Sequence, residues 1–91
     1  MKTEILIKDE VRAYLRALAP EPRRLAKAAL AHLPAGDTKP LGDELEGLHR
    51  LRVGHHRFIY RHHDRQIRVF FAAPRAIVYE YLAAHLHEYL G

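Results

Sequence analysis

The chain changes its hydrophobic period several times along its length. Glu4-Ile5-Leu6-Ile7 is short, branched and apolar, and predicts a strand. From Lys8 the apolar positions recur at three and four, so that Val11, Tyr14, Leu15 and Leu18 share one helical face. Asp9 and Glu10 fall in the first turn of that helix, where the macrodipole favours anions. Ala19-Pro20-Glu21-Pro22 ends it and opens a second helix, because proline is tolerated in a first turn. Leu25, Ala28, Ala29 and Leu33 predict the apolar stripe of this second helix, stopped by Pro34-Ala35-Gly36-Asp37. So short a connection predicts an antiparallel helical hairpin. Residues 35–47, rich in Gly, Pro and acids, predict an irregular link.

Alternation then takes over. Leu51 and Val53 hold one parity while Arg50 and Arg52 hold the other. Gly54-His55 fits a two-residue hairpin turn with glycine first, the type II′ pattern. On the return strand Phe58 and Tyr60 oppose Arg57 and Arg61. His63-Asp64-Arg65-Gln66 turns again into Ile67-Arg68-Val69-Phe70-Phe71, and past Pro74 a final helix is expected from about Arg75 to Tyr89, with Val78, Leu82 and Leu86 spaced by four. The expected architecture is α+β, in the order β-α-α-β-β-β-α, as one domain over residues 1–91. A small antiparallel-dominated sheet would carry the helical hairpin on one face. Parity then sends Leu51, Val53, Phe58, Tyr60, Ile67, Val69 and Phe71 towards the helices. Arg50, Arg52, Arg57 and Arg61, with Arg68, go to the open face.

Charge sharpens this division. Residues 1–47 hold eight cations and eight anions, whereas residues 48–75 hold seven Arg against the single Asp64. The excess of the whole chain, +4, therefore originates in the meander. A solubility face normally mixes both signs; a block of one sign inside a folded unit is the footprint of a polyanion partner. Arg also outnumbers Lys, and its planar fork suits phosphate.

Composition removes several chemistries. The 91 residues include no Ser, Cys, Asn or Trp, which excludes a Ser or Cys nucleophile and any disulfide. No apolar run approaches the ~20 residues of a membrane span, and Met1-Lys2-Thr3-Glu4-Ile5 lacks the apolar stretch of a signal peptide. A cytoplasmic protein without a membrane partner is expected. The eight His suggest metal, but neighbours on a strand point to opposite faces, and His85 and His87 on a helix diverge by about 200°. Neither a metal nor another cofactor is expected.

Two stretches resemble the RelE/ParE superfamily of bacterial toxins, partners in toxin–antitoxin pairs. Residues 45–60, Leu-Glu-Gly-Leu-His-Arg-Leu-Arg-Val-Gly-His-His-Arg-Phe-Ile-Tyr, follow the family's pattern of L-x-G-L, basic strand positions, V-G turn, Arg and closing Tyr. Pro74-Arg75-Ala76-Ile77-Val78-Tyr79 is similar to its H-R-x-x-(V/I)-Y close. The resemblance implies a microbial RNase-like fold and one of two activities: cleavage of mRNA on the ribosome, or poisoning of DNA gyrase by protein–protein contact. A domain that binds RNA without cutting it is a further reading. The resemblance also implies a cognate antitoxin covering the basic groove or displacing the last helix.

Residue by residue, the resemblance implies that Arg57 clamps the scissile phosphate and that Arg50 and Arg52 are the basic strand positions. Arg75 is implied as an acid or phosphate ligand, and Tyr79 as a base-stacking or proton-transfer residue. Arg50, Arg57, Arg75 and Tyr79 are thus the expected catalytic set, and Arg52, Arg61, His55 and His56 the expected substrate contacts. The chain departs from the pattern where relatives place a Glu or His base: the loop holds Lys39 or Gly42, with Glu44 and Glu46 out of register. Pro74 stands where a His is common, and Ala73 where one branch has a further Arg.

Overall fold

The computed structural model describes residues 2–85. Its elements run β1 (Glu4–Ile7), α1 (Asp9–Ala17), α2 (Pro20–Ala31), β2 (Thr38–Pro40), a 3-10 turn (Asp43–Leu45), β3 (His49–Val53), β4 (His56–His63), β5 (Gln66–Pro74) and α3 (Val78–Ala84). The fold is α+β, as expected. The strands form one sheet in the order β1-β5-β4-β3-β2. Only β1 and β5 run parallel, with Ile5 opposite Ile67 and Ile7 opposite Val69. The helical hairpin covers one face. There Val11 and Leu15 from α1, Ala26 and Leu30 from α2, and Leu33 just beyond it pack on Leu51, Phe58, Tyr60, Ile67 and Val69.

Where the structure departs from the sequence reading, the causes are specific. Of the expected stripe, Leu33 is buried and Ala29 packs against the same core, but Ala26 and Leu30 are buried where Leu25, 47% exposed, and Ala28 were expected. With alanines on several faces, helix periodicity is degenerate in phase, and contact with the sheet decides it. The link over 35–47 is not wholly irregular: β2 pairs with β3, setting Lys39 opposite Arg50. Phe71 faces away from the helical hairpin. A register shift between Ile59 and Tyr60 pairs Ile59 with Phe71 but Tyr60 with Val69, leaving Phe70 as an extra residue. Such a bulge inverts the alternation beyond it, so Ile67 and Val69 join the hairpin core while Phe70, Phe71 and Ala73 join the other.

That second core consists of Leu48, Ile59, Phe70, Phe71 and Ala73 under Val78 and Leu82 of α3. The last helix starts at Val78 rather than near Arg75, because residues 75–77 form a turn. Its expected continuation through Leu86, His87 and Tyr89 lies outside the described residues. Gly54 has φ +61° and His55 does not share the positive sign, as glycine-first hairpin geometry requires. No helix among the described residues is long and apolar enough to cross a membrane.

Candidate nucleic-acid interface

Three strands and one turn place cations around a single cleft. On the sheet face carrying α3, Arg50 and Arg52 project from β3, Lys39 from β2 and Arg57 from β4. The register sets Arg52 directly opposite Arg57 and Lys39 opposite Arg50. Arg75, in the turn before α3, is brought alongside by its backbone N–H, which donates to the His55 carbonyl at 2.7 Å. The first turn of α3 adds Tyr79. Together with Pro40, Leu41 and Gly42 these residues line a cleft of about 430 Å³. Among the described residues, its lining holds five cations and no carboxylate.

Arg57 is 6% exposed, not on an open face as parity alone suggests. Its Nη1 donates to the Gly54 carbonyl at 2.9 Å and to the His56 carbonyl at 3.1 Å. The side chain therefore folds back across the hairpin turn. Both Nη1 hydrogens are used, leaving the Nε and Nη2 edge, the edge suited to a bidentate oxyanion. Ala73, where one branch of the resembled family has an Arg, lies directly across the ladder from Arg57.

Arg50 and Arg52 share one carboxylate. Asp37, in the link before β2, accepts from Arg50 Nη1 at 3.3 Å on Oδ1 and from Arg52 Nε at 2.7 Å on Oδ2. Its main-chain carbonyl accepts from Arg50 Nη1 at 3.2 Å and from the Arg52 backbone N–H at 2.9 Å. Desolvation alone would raise the Asp37 carboxyl, but hydrogen bonds and positive charge from the two arginines outweigh it and hold it below the usual carboxylate range. Neither Asp37 nor Lys39 stood among the expected site residues. The signal for Lys39 was its place in a loop that the resemblance singled out. For Asp37 none existed, because a lone acid in a Gly/Pro-rich link has no periodicity.

The other expected contacts fall elsewhere. His56 faces the helical hairpin, its Nδ1 2.7 Å from the Tyr14 hydroxyl and its ring edge-on to Tyr14. Burial first, and then the nearby His55 and Arg57, lower its pKa. Parity separates it from the cleft, since it precedes Arg57 by one. His55 is exposed at the turn and contributes its carbonyl to hold Arg75. Arg61 sits four residues along β4 from Arg57, opposite Arg68 and beyond the apolar pad under α3. Neither His55, His56 nor Arg61 lines the cleft, and neither do Glu44 and Glu46. Tyr79 is 37% exposed and lines the cleft, rather than packing in the core. Among the described residues, no three His, Asp or Glu side chains gather as a metal site would require.

No protein-family model matches the sequence, and a search of curated proteins gives no match. Solved structures do match. A chain of the RelBE2 toxin–antitoxin complex from Mycobacterium tuberculosis superposes with a TM-score of 0.69 at 23% identity, covering 82% of this chain and 100% of that one. A chain of the archaeal RelE–RelB complex from Pyrococcus horikoshii gives 0.64 at 25% identity, covering 82% and 97%. YafQ from E. coli gives 0.57 at 19%, covering 86% and 99%. The likeness read in residues 45–60 and 74–79 thus extends through most of the chain, which has the fold of the RelE-like toxins.

Proposed function

We propose that this protein is the toxin of a toxin–antitoxin pair and acts as a ribosome-dependent endoribonuclease on mRNA. The observation that carries the reading is the cleft lined by Lys39, Arg50, Arg52, Arg57 and Arg75 with Tyr79 at its edge. Five cations converging against the single bridging carboxylate of Asp37 still repel one another, and a phosphodiester backbone relieves that repulsion. A poison acting by protein–protein contact has no need of a phosphate-shaped cleft. The similar chain from M. tuberculosis was crystallised in a toxin–antitoxin complex and that from P. horikoshii in a RelE–RelB complex, which supports an antitoxin as partner.

In this reading the RNA's own 2′-OH is the nucleophile. A base takes its proton, the 2′-oxygen forms a bond to the adjacent phosphorus, and the bond from phosphorus to the 5′-oxygen breaks with protonation of that oxygen. Arg57, through Nε and Nη2, and Arg50, Arg52 and Arg75 stabilise the charge that develops on the phosphorane. Preorganised donors in a restricted site are worth most at that point. Guanidiniums can supply this electrostatic term without a metal. Tyr79 either relays a proton or stacks on the neighbouring base.

The products carry a 2′,3′-cyclic phosphate and a 5′-hydroxyl. The test is to programme ribosomes with mRNA, add the protein and identify both termini. Cyclic phosphate ends that disappear when the cut nucleotide is 2′-deoxy are expected. Ends of another chemistry, or cutting of the deoxy-substituted message, would contradict the mechanism.

A further inference from the structure

Resting on the reading above, we propose that Asp37 is a positioning residue that holds Arg50 and Arg52 in register for the phosphate, at the cost of one unit of the cleft's positive charge. Among the described residues, the geometry sets this carboxylate apart from the other surface acids. One oxygen takes Arg50 Nη1 and the other takes Arg52 Nε. The Asp37 backbone is itself pinned by the Arg52 N–H at 2.9 Å. The carboxylate is thus anchored to the same ladder as the two arginines it engages.

Arg50 and Arg52 stand two apart on one strand face. Without a bridging anion, two long side chains of like charge would diverge and sample many rotamers. With the bridge, each guanidinium is tethered through one nitrogen, and its remaining N–H groups can meet a phosphate. Asp37 is absent from the lining of the cleft, so it acts through the arginines rather than on the RNA.

Two opposed effects follow from removing the charge, and they fall on different observables. Affinity for RNA is set largely by the sum of charge, so loss of an anion should hold or tighten binding and steepen its salt dependence. Cleavage is set by orientation, where a displacement of about 1 Å can cost as much as 10²-fold. Asp37→Asn is therefore expected to bind a short fluorescein-labelled RNA at least as tightly as wild type, and to cut ribosome-bound mRNA about tenfold more slowly at saturating protein. Asp37→Glu, which restores the charge on a longer arm, should recover part of the rate. A purely structural role would instead lower the melting temperature and take binding and cutting down together.

The experiment combines fluorescence anisotropy across a salt series, single-turnover cleavage, and NMR of the arginine Nε–H groups in wild type, Asp37→Asn and Asp37→Glu. Slower cutting with undiminished binding, together with a shifted and less protected Arg52 Nε–H signal in Asp37→Asn, supports the proposal. Wild-type cutting by Asp37→Asn, or parallel loss of binding, cutting and thermal stability, overturns it. Should wild type leave every message intact, the cleavage reading falls instead and the NMR arm decides on Asp37 alone. There, an unchanged Arg52 signal in Asp37→Asn overturns the positioning role.

Discussion

Under the helical hairpin, the sheet presents Leu51, Phe58, Tyr60, Ile67 and Val69 to Val11, Leu15, Ala26, Leu30 and Leu33, and each of these is at most 4% exposed. On the opposite face, among the described residues, α3 covers the pad around Ile59, Phe70 and Phe71, and at the hairpin end that face gives way to Lys39, Arg50, Arg52, Arg57 and Arg75. The first face is completed by the chain's own apolar side chains. The second is left with concentrated like charge, which folding alone does not favour. The larger apolar core thus lies on one side of the sheet, while the other side carries a smaller core beside the cleft proposed to act on RNA.

The largest effect should come from breaking the first face. Phe58→Ala, at a fully buried ring, should cost about 3–5 kcal/mol, enough to unfold a small protein. Chemical denaturation would register it as a loss of the cooperative transition. Arg57 tests the border between the faces, because it is buried yet lines the cleft. Arg57→Ala should lower cleavage by about 10²–10³-fold. It should also lower stability by about 1–3 kcal/mol, because the Gly54 and His56 carbonyls lose their donor. Arg57→Lys keeps the charge and separates the two effects, since an ammonium cannot form the fork.

Tyr79→Phe sharpens the second face alone. At a position more than a third exposed, its effect on stability should stay within about 0.5 kcal/mol. If the hydroxyl relays a proton, cleavage should fall by about 10²-fold or more with RNA binding retained; if the ring only stacks, Phe should preserve both.

A weaker effect is expected with pH. His49 and His56 both have lowered pKa values, from burial in the first place and then from His62 for His49 and from His55 and Arg57 for His56. A histidine depressed in the fold takes up its proton more readily when unfolded. Its stabilisation is present above the unfolded value of about 6.5 and is lost as pH falls through the lower folded value. Thermal melts should therefore show a midpoint that declines on acidification below about pH 6.5, with a shallower decline in His56→Gln. The smallest change belongs to Leu25→Glu, expected within about 0.5 kcal/mol of wild type because the side chain is nearly half exposed.

Leu25 also marks how far the sequence could be read. Strand parity put Arg50, Arg52 and Arg57 on one face, and the glycine-first turn was recognisable from Gly54. The family-like spacing brought Arg75 and Tyr79 into the same set. Long-range register escaped. Nothing in Val69-Phe70-Phe71-Ala72 signals which residue bulges, yet that bulge turns Phe71 and Ala73 to the cleft's side of the sheet. In α2, Leu33 and Ala29 fell on the expected face, but the burial of Ala26 rather than Leu25 escaped because alanine packs on either side. The folding back of Arg57 onto two carbonyls and the hold of Asp37 on two arginines are contacts between side chains and distant backbone, which no local pattern encodes.

The central claim is that this cationic cleft cuts messenger RNA on the ribosome. Its most direct test is a cell-free translation reaction containing purified protein, with mRNA 5′ ends mapped by primer extension, beside an Arg57→Lys variant shown to be folded. Wild type is expected to give new 5′ ends that require ribosomes and are lost or strongly reduced with Arg57→Lys. Translation that proceeds with intact message at micromolar protein, or cutting that is indifferent to Arg57, would contradict the claim.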